Sequence, residues 1–360
     1  MGRLMLKNKE GDELEVTFCR YREGDERGMI DCIRDEYGNT YFKREFYVPE
    51  YIKRKAEEGT ITFLTARTQD DEIAGMMILK QFYPEESMCE IASQIFRKRY
   101  RGYGIAMPFF EYGMEILRSR SYTAAFCLPV LFHTVTQRLL YRIGLRAAGL
   151  VLNVFDLDRV IHSYDNGRNR KHSQGVQVCA LGKTDAGILY MPARHRDFCG
   201  KIYRSLGVKF QIAEPKENTA EMSDGQERDS GENALGVFPG YTDMTYKNDD
   251  LQANLEIRIH RVGQDLPARM RQLHSRFPLR GKQTAGIFLN CNDPGAIRSC
   301  ELLEEMGYFF TGLKPLCSQR EYLILHHLGE VEIYFDDYQA TEEFQRLIQY
   351  VEKEYQKRRK

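Results

Sequence analysis

Apolar residues recur at helical spacing between 105 and 118, where Ile105, Phe109, Tyr112, Ile116 and Leu117 share one face. Extended patterns flank this stretch. Residues 86–96 read as a strand, 123–130 as a short buried strand, 133–143 as a second helix stopped by Gly144, and 146–155 as another extended run. Further upstream, 25–36 and 48–58 read as two helices. The order around residue 100 is therefore strand, loop, helix, strand, helix, strand.

The pattern also repeats. Residues 139–150 lie over residues 302–313 without gaps, so that Leu139 meets Leu302, Gly144 meets Gly307 and Gly149 meets Gly312, a constant offset of 163 positions. Upstream of the second copy, 285–291 is an apolar strand, and 321–328 supplies a further one. Agreement over several elements points to duplication. Residues 187–191, 194–205 and 207–212 form a strand, helix, strand group that opens the second half. The stretch 214–236, rich in Glu, Asp, Ser, Asn and Gly, reads as a flexible excursion. Residues 165–173, with Arg168, Arg170, Lys171 and His172, read as an exposed basic loop. The expected division is 1–165 and 166–360.

Chemistry concentrates in the loop before the helix at 105. Residues 95–106 place Arg97, Lys98, Arg99 and Arg101 beside Gly102 and Gly104. Glycine removes Cβ where backbone approaches a ligand closely, and the helix that follows turns unpaired N–H groups and its positive dipole end toward an anion. The chain has no Gly-x-x-x-x-Gly-Lys-Ser/Thr loop, and Met107 stands where a dinucleotide-binding turn requires glycine. In the second copy the offset places Asp265, Pro267 and Arg269 on Gly102, Gly104 and Ala106. A proline and an acid there remove a donor and repel phosphate.

These residues resemble the GNAT acyltransferase superfamily. The resemblance rests on an Arg/Gln-x-x-Gly-x-Gly/Ala signature and on the helix ending Leu140-Tyr141-Arg142-Ile143-Gly144-Leu145, and it covers roughly residues 14 to 158. Two registers fit the signature, one from Arg99 to Gly104 and one from Arg101 to Ala106. The resemblance implies an α/β fold class of tandem GNAT folds, each a mixed, mostly antiparallel central sheet flanked by helices, with the second copy degenerate. It also implies that acetyl-CoA or another acyl-CoA is held by its pyrophosphate on backbone N–H groups of Arg101, Gly102, Tyr103, Gly104, Ile105 and Ala106. Thr134 or Gln137 stands in for an asparagine that many members carry near the start of the second helix. Oxyanion donors lie near Ile95 and Phe96.

Acyl transfer to an amine requires loss of a proton, stabilisation of a tetrahedral oxyanion, and protonation of the leaving thiolate. Tyr141 occupies the place of the family's acid; as a residue, it reads equally as an amphipathic packing side chain. Glu90, mid-strand before the loop, is the first candidate for the base, with His133 as the alternative. Cys89 and Cys127, in apolar strands, read as buried and inert. Tyr37, Tyr41, Phe42, Phe46, Tyr47 and Tyr51 lie around the connection between the first two helices, as acceptor-pocket lining or as core.

Composition narrows the rest. Lys+Arg and Asp+Glu both total 52, so no global field for nucleic acid exists, and transfer from charged tRNA is disfavoured. Nine cysteines without metal-ligand spacing suit a reducing cytosol, and no metal is expected. No apolar run reaches a membrane span or resembles a signal peptide, which gives the expectation of a cytoplasmic protein, monomer or homodimer. The resulting expectation is an N-acetyltransferase that moves an acetyl group from acetyl-CoA to a primary amine of a small molecule or peptide. The alternative is a non-catalytic acyl-CoA sensor or interaction module.

Overall fold

The computed structural model describes residues 3–81, 87–156, 167–213, 240–318 and 320–358; the excursion expected at 214–236 lies outside them. The first unit contains β1 (Leu4–Lys7), β2 (Glu13–Arg20), α1 (Glu26–Tyr37), α2 (Pro49–Glu57), β3 (Ile61–Thr68), β4 (Ile73–Lys80), β5 (Met88–Phe96), α3 (Ala106–Arg118), β6 (Ala124–Cys127), α4 (Val135–Arg142), β7 (Arg146–Asp156) and β8 (Lys171–Ala180). The remainder contains β9 (Asp185–Leu189), α5 (Arg196–Ser205), β10 (Lys209–Ile212), β11 (Asp243–Asp249), β12 (Asn254–Arg261), α6 (Leu266–Arg276), β13 (Thr284–Asn290), α7 (Ala296–Glu305), β14 (Phe309–Lys314), β15 (Tyr322–His327) and α8 (Glu342–Arg358).

The fold class is α/β, with one shared sheet where two were expected. Its 13 strands run β1-β2-β3-β4-β5-β6-β8-β7-β14-β15-β13-β12-β11. Among the described residues of this sheet, only β5–β6 and β12–β13 pair in parallel. The order β5-β6-β8-β7 in the first unit is matched by β12-β13-β15-β14 in the second, and the halves meet at the equivalent strands β7 and β14. The separate two-stranded sheet of β9 and β10, with α5, packs its Leu189, Cys199 and Tyr203 into the second unit's core.

The residues that join the halves are those singled out by the repeat. Gly149 and Gly312 are register partners across β7 and β14. A Cβ on Gly149 would stand 2.6 Å from the Leu313 carbonyl oxygen, and one on Gly312 would stand 2.3 Å from Gly149 Cα. Gly312 also has φ of 130°, which disfavours any side chain. Gly312→Ala is therefore expected to cost about 3 kcal/mol or more in urea unfolding, because the clash is with backbone that cannot rotate away. Helix α8 covers this join, packing Phe344, Leu347 and Val351 against Leu150, Leu152 and Phe309. Buried His326 crosses it, accepting the Leu152 N–H at 3.2 Å through Nε2 while Nδ1 meets Thr311 Oγ1 at 2.9 Å.

Two expectations are corrected here. The division between 165 and 166 falls inside the first unit, because β8 inserts between β6 and β7 and completes that half of the sheet. The unit therefore extends to Ala180. The basic loop at 165–173, whose first two residues lie outside the described ones, gives way to strand at Lys171. Lys171 is 1% exposed and its ammonium donates to the carbonyls of Ala253 (2.9 Å) and Lys282 (3.1 Å) and to Thr284 Oγ1 (3.1 Å). Burial pulls its pKa down to about 8. Arg168 remains exposed, paired with Asp337 at 2.9 Å.

Candidate active site

The site begins where β5 leaves β6. The two strands pair only from Met88–Ala124 to Glu90–Phe126 and then separate, whereas β12 and β13 stay paired from Asn254–Thr284 to Ile259–Leu289. Separation exposes the strand edges and opens a cleft of about 680 Å³ in the first unit. Its walls are β5, the 127–130 segment, the start of α3, the start of α4, and the connection after α1. A bulge helps to turn β5 away. Ser93 has φ of 49°, and the β4–β5 register shifts beside it. The bulge is tied to the connection after α1, since Ser93 Oγ lies 2.8 Å from Tyr41 Oη and accepts from Lys43 Nζ at 3.3 Å.

At one end of the cleft is the glycine loop. Gly102 and Gly104 have φ of 91° and 78°, left-handed values that glycine alone adopts without strain. Arg101 N–H donates to the Lys98 carbonyl and Phe109 N–H to that of Ile105. None of the intervening N–H groups of Gly102, Tyr103, Gly104, Ile105, Ala106 and Met107 donates to a protein acceptor among the described residues. Pro108 has no N–H, and its place in the first helical turn costs nothing. Five of the expected loop residues, Arg101, Gly102, Gly104, Ile105 and Ala106, line the cleft; the Tyr103 ring packs partly on the core beneath.

The loop's arginines are engaged elsewhere. Arg97 pairs with Glu72 and, at 3.1 Å, with Asp31; Arg99 also pairs with Glu72, and Arg101 with Glu36. The Lys98 N–H donates to Asp35 at 2.6 Å. These acids fix the loop against α1 and the turn before β4, so the attraction for an anion comes chiefly from the backbone N–H array. Arg99 is exposed and outside the cleft lining.

The equivalent place in the second unit is filled. A Cβ on Gly263 would lie 2.4 Å from the Gly240 carbonyl oxygen, and Asp265 accepts from Thr242 N–H (2.6 Å) and Thr242 Oγ1 (2.7 Å). Asp293 takes the N–H groups of Val262 (2.7 Å) and Gly295 (2.8 Å). The second unit supplies its own carboxylates where the first leaves donors open.

Deeper in the cleft stands Glu90, 6% exposed, with Oε2 buried and without a hydrogen-bond partner among the described residues. Burial raises its carboxyl pKa, opposed by Lys43, Lys80 and Lys314. His133 also lines the cleft, and its burial lowers its pKa, which favours the neutral ring. Ile95 and Phe96 line it too, and strand geometry separates their roles. Arg97 N–H donates to the Ala74 carbonyl of β4 at 2.9 Å, so alternation turns Ile95 N–H toward β4 and Phe96 N–H toward the opened edge. Cys127 lines the cleft as well, but burial pushes its thiol up, as it does Cys89, to about 12 for the latter. Both are poor nucleophiles.

Several expected residues stand elsewhere. Tyr141 is half-exposed, with the Arg146 guanidinium 4.3 Å over its ring, and does not line the cleft. Thr136 and Leu139 face the cleft from α4; two residues further, a side chain points to the opposite side. Tyr141→Phe is accordingly expected to leave steady-state turnover unchanged. Gln137 is fully buried. Its amide donates to the carbonyls of Val130, His133 and Gln339, and its oxygen accepts the Thr341 N–H, so it fastens α4 to the chain before α8. Thr134 precedes α4, makes no side-chain cap and is outside the cleft lining. Of the aromatics, Tyr37, Tyr41 and Phe42 line the cleft, while Phe46 belongs to the core under α1 and α2. Lys43, Ser93 and Glu72 were not anticipated, since a bulge at an ordinary serine and a long-range ion pair leave no local pattern. Away from the cleft, His195, Cys300 and Glu304 bring potential metal-ligating atoms within 4.8 Å of one another, but Arg194 pairs with Glu304.

No family model and no curated protein matches the sequence. Solved structures match over nearly half of it. A protein named as a phosphinothricin N-acetyltransferase is 13% identical, with 47% of this chain and 99% of that one covered at a TM-score of 0.37. A spermidine N-acetyltransferase variant from Vibrio cholerae is 11% identical, covering 46% and 94% at 0.38. An acetyltransferase from Acinetobacter baylyi is 10% identical, covering 46% and 92% at 0.39. The chain is similar to these acetyltransferases over about half its length. Similarity of this extent carries nothing about substrate, and the functional reading rests on the cleft. Among the described residues no helix is long and apolar enough to cross a membrane.

Proposed function

We propose that the first unit is an acyl-CoA-dependent N-acyltransferase that moves an acetyl group from acetyl-CoA to a primary amine of a small molecule or peptide. The observation that carries this reading is the juxtaposition, in one cleft, of unengaged N–H groups from Gly102 to Met107 with the buried, unpartnered carboxyl of Glu90. The first is an anion site of the kind that holds a pyrophosphate. The second is a carboxylate whose pKa is raised by burial, which strengthens it as a proton acceptor for an attacking amine.

In this reading the acyl-CoA lies in the opening between β5 and β6, with its pyrophosphate on the loop and its thioester carbonyl toward Phe96 N–H. The amine enters beside Tyr41 and Phe42. Glu90, directly or through one water, accepts a proton as the nitrogen–carbon bond forms. The oxyanion collapses, the carbon–sulfur bond breaks, and the thiolate is protonated by water in the cleft. His133 is held neutral in the wall and is the second candidate for the proton acceptor. The second unit, its own strand opening closed, serves as structural support for the first.

The test is calorimetric titration with acetyl-CoA and desulfo-CoA, followed by an amine screen for thiol release. One-to-one binding and turnover are expected. Binding without turnover on any amine would favour the acyl-CoA sensor, and absence of binding would overturn both readings.

A further inference from the structure

Outside the cleft, the second unit gathers a histidine, a thiol and a carboxylate around one point. His195 stands at the start of α5, and Cys300 and Glu304 are four residues apart on α7, hence on one helix face. His195 and Cys300 are fully buried and Glu304 is partly buried. Their ligating atoms lie within 4.8 Å of one another. Glu304 Oε1 is 3.9 Å from His195 Nε2 and 3.6 Å from Cys300 Sγ. Around a tetrahedral zinc, with bonds of about 2.0–2.3 Å, ligand atoms stand about 3.3–3.8 Å apart. The cluster is already close to that spacing.

The histidine presents a lone pair. Tyr350 Oη donates its one hydrogen to the Arg194 carbonyl at 3.1 Å, so it accepts from His195 Nδ1 at 2.8 Å. In the neutral ring the proton is then on Nδ1, and Nε2 is bare, buried and without a hydrogen-bond partner among the described residues. It faces a carboxylate oxygen that is also a lone-pair donor, and a cation between the two relieves their repulsion. Stacking on Phe310, with centroids 4.1 Å apart, holds the ring in place. Arg194 brings one positive charge by pairing with Glu304, but it has a second acid at 3.7 Å in Glu354, which also pairs with Lys357. Arg194, Tyr350 and Glu354 border a surface opening of about 430 Å³, which leaves the guanidinium room to swing aside and gives an ion a route in.

We propose that His195, Cys300 and Glu304 form a site for a zinc-class divalent ion, with Nε2, Sγ and a carboxylate oxygen as ligands and water from the opening in the fourth position. Binding forms a metal–sulfur bond and releases the thiol proton to solvent, without redox change. Burial pushes the Cys300 thiol pKa up, and the charge of the ion offsets that cost. A divalent ion with one thiolate, one carboxylate and a neutral imidazole leaves no net charge in the site, and Arg194 passes to Glu354. Tyr350 orients the imidazole from behind. The ion fastens α5, which belongs to the β9–β10 sheet, to α7. The inference is independent of the acyl-transfer reading.

The test is titration of the chelator-treated full chain with cobalt(II), followed by absorption, and with zinc, followed by thermal unfolding. The native chain is expected to bind one cobalt, with a thiolate-to-cobalt charge-transfer band and the strong visible bands of a tetrahedral ion. Cys300→Ser loses the charge-transfer band, and Glu304→Gln binds about tenfold or more weakly. Arg194→Gln, which removes the competing cation, binds more tightly. Zinc raises the melting temperature of the native chain but not that of Cys300→Ser. Glu304→Gln serves if Cys300→Ser fails to fold. Absence of the charge-transfer band in the native chain would overturn the proposal. So would an equal band in Cys300→Ser, which places the ion on other cysteines, or unchanged affinity in Glu304→Gln.

Discussion

Gly104→Glu is expected to weaken acetyl-CoA binding severely while the protein remains folded. The position is open: a Cβ built on Gly104 meets nothing within 4 Å, so a side chain can leave the backbone there without a clash at its base. Its φ of 78° makes any L-residue there strained, at a cost of about 1–2 kcal/mol. The larger effect is on the ligand. A carboxylate projecting among the N–H groups of Gly102 to Met107 provides an internal anion for the donors and repels a pyrophosphate from the same place. The second unit already shows such an arrangement, where Asp293 takes the Val262 and Gly295 N–H groups. The expected loss is on the order of a hundredfold or more in Kd, equivalent to about 2.7 kcal/mol. Calorimetric titration of acetyl-CoA into the variant measures it. Gly104→Ala, which brings the strain without the charge, is expected to lose less. Retained affinity in Gly104→Glu would remove the loop from the site.

The second large effect is expected at Glu90. Glutamine preserves shape and removes the ability to take a proton, so Glu90→Gln should lower kcat by roughly 10²–10⁴-fold with acetyl-CoA affinity unaltered. The sign of the pH dependence follows from burial. Because burial raises the carboxyl pKa, a base at Glu90 is ionised only above that raised value, and kcat/KM is expected to fall as pH drops through it. In Glu90→Gln that limb disappears. A variant that keeps both the rate and the acid limb would transfer the role to His133, with His133→Asn as the decisive comparison.

Much of the fold was legible because its signals are local. The 3.6-residue spacing from Ile105 onward gives α3 (Ala106–Arg118), the glycine stop at 144 ends α4 within two residues, and the duplicated Gly-containing segment gives two equivalent helix–strand units. The glycine loop was legible for the same reason, since a left-handed backbone needs Gly102 and Gly104 wherever the rest of the chain goes. Glu90 was marked by an acid within an apolar strand. Tyr141 was misplaced because family position does not fix helix rotation, and its ring turns to Arg146. Gln137 has the composition of a ligand contact, but its side chain is engaged by the Val130 and His133 carbonyls and by the chain before α8, two hundred residues away in sequence.

The sequence by itself determined the repeating strand–helix units, the glycine loop, and the loss of that loop from the second copy, because each depends on backbone preferences of a few consecutive residues. Tertiary structure alone decided that the units share one sheet through Gly149 and Gly312 and that β8 belongs to the first. It also decided that the loop's arginines are paired with Glu72, Asp31 and Glu36. Strand pairing, ion pairing and burial join residues far apart in the chain, and their energies depend on distance and screening that no local pattern encodes.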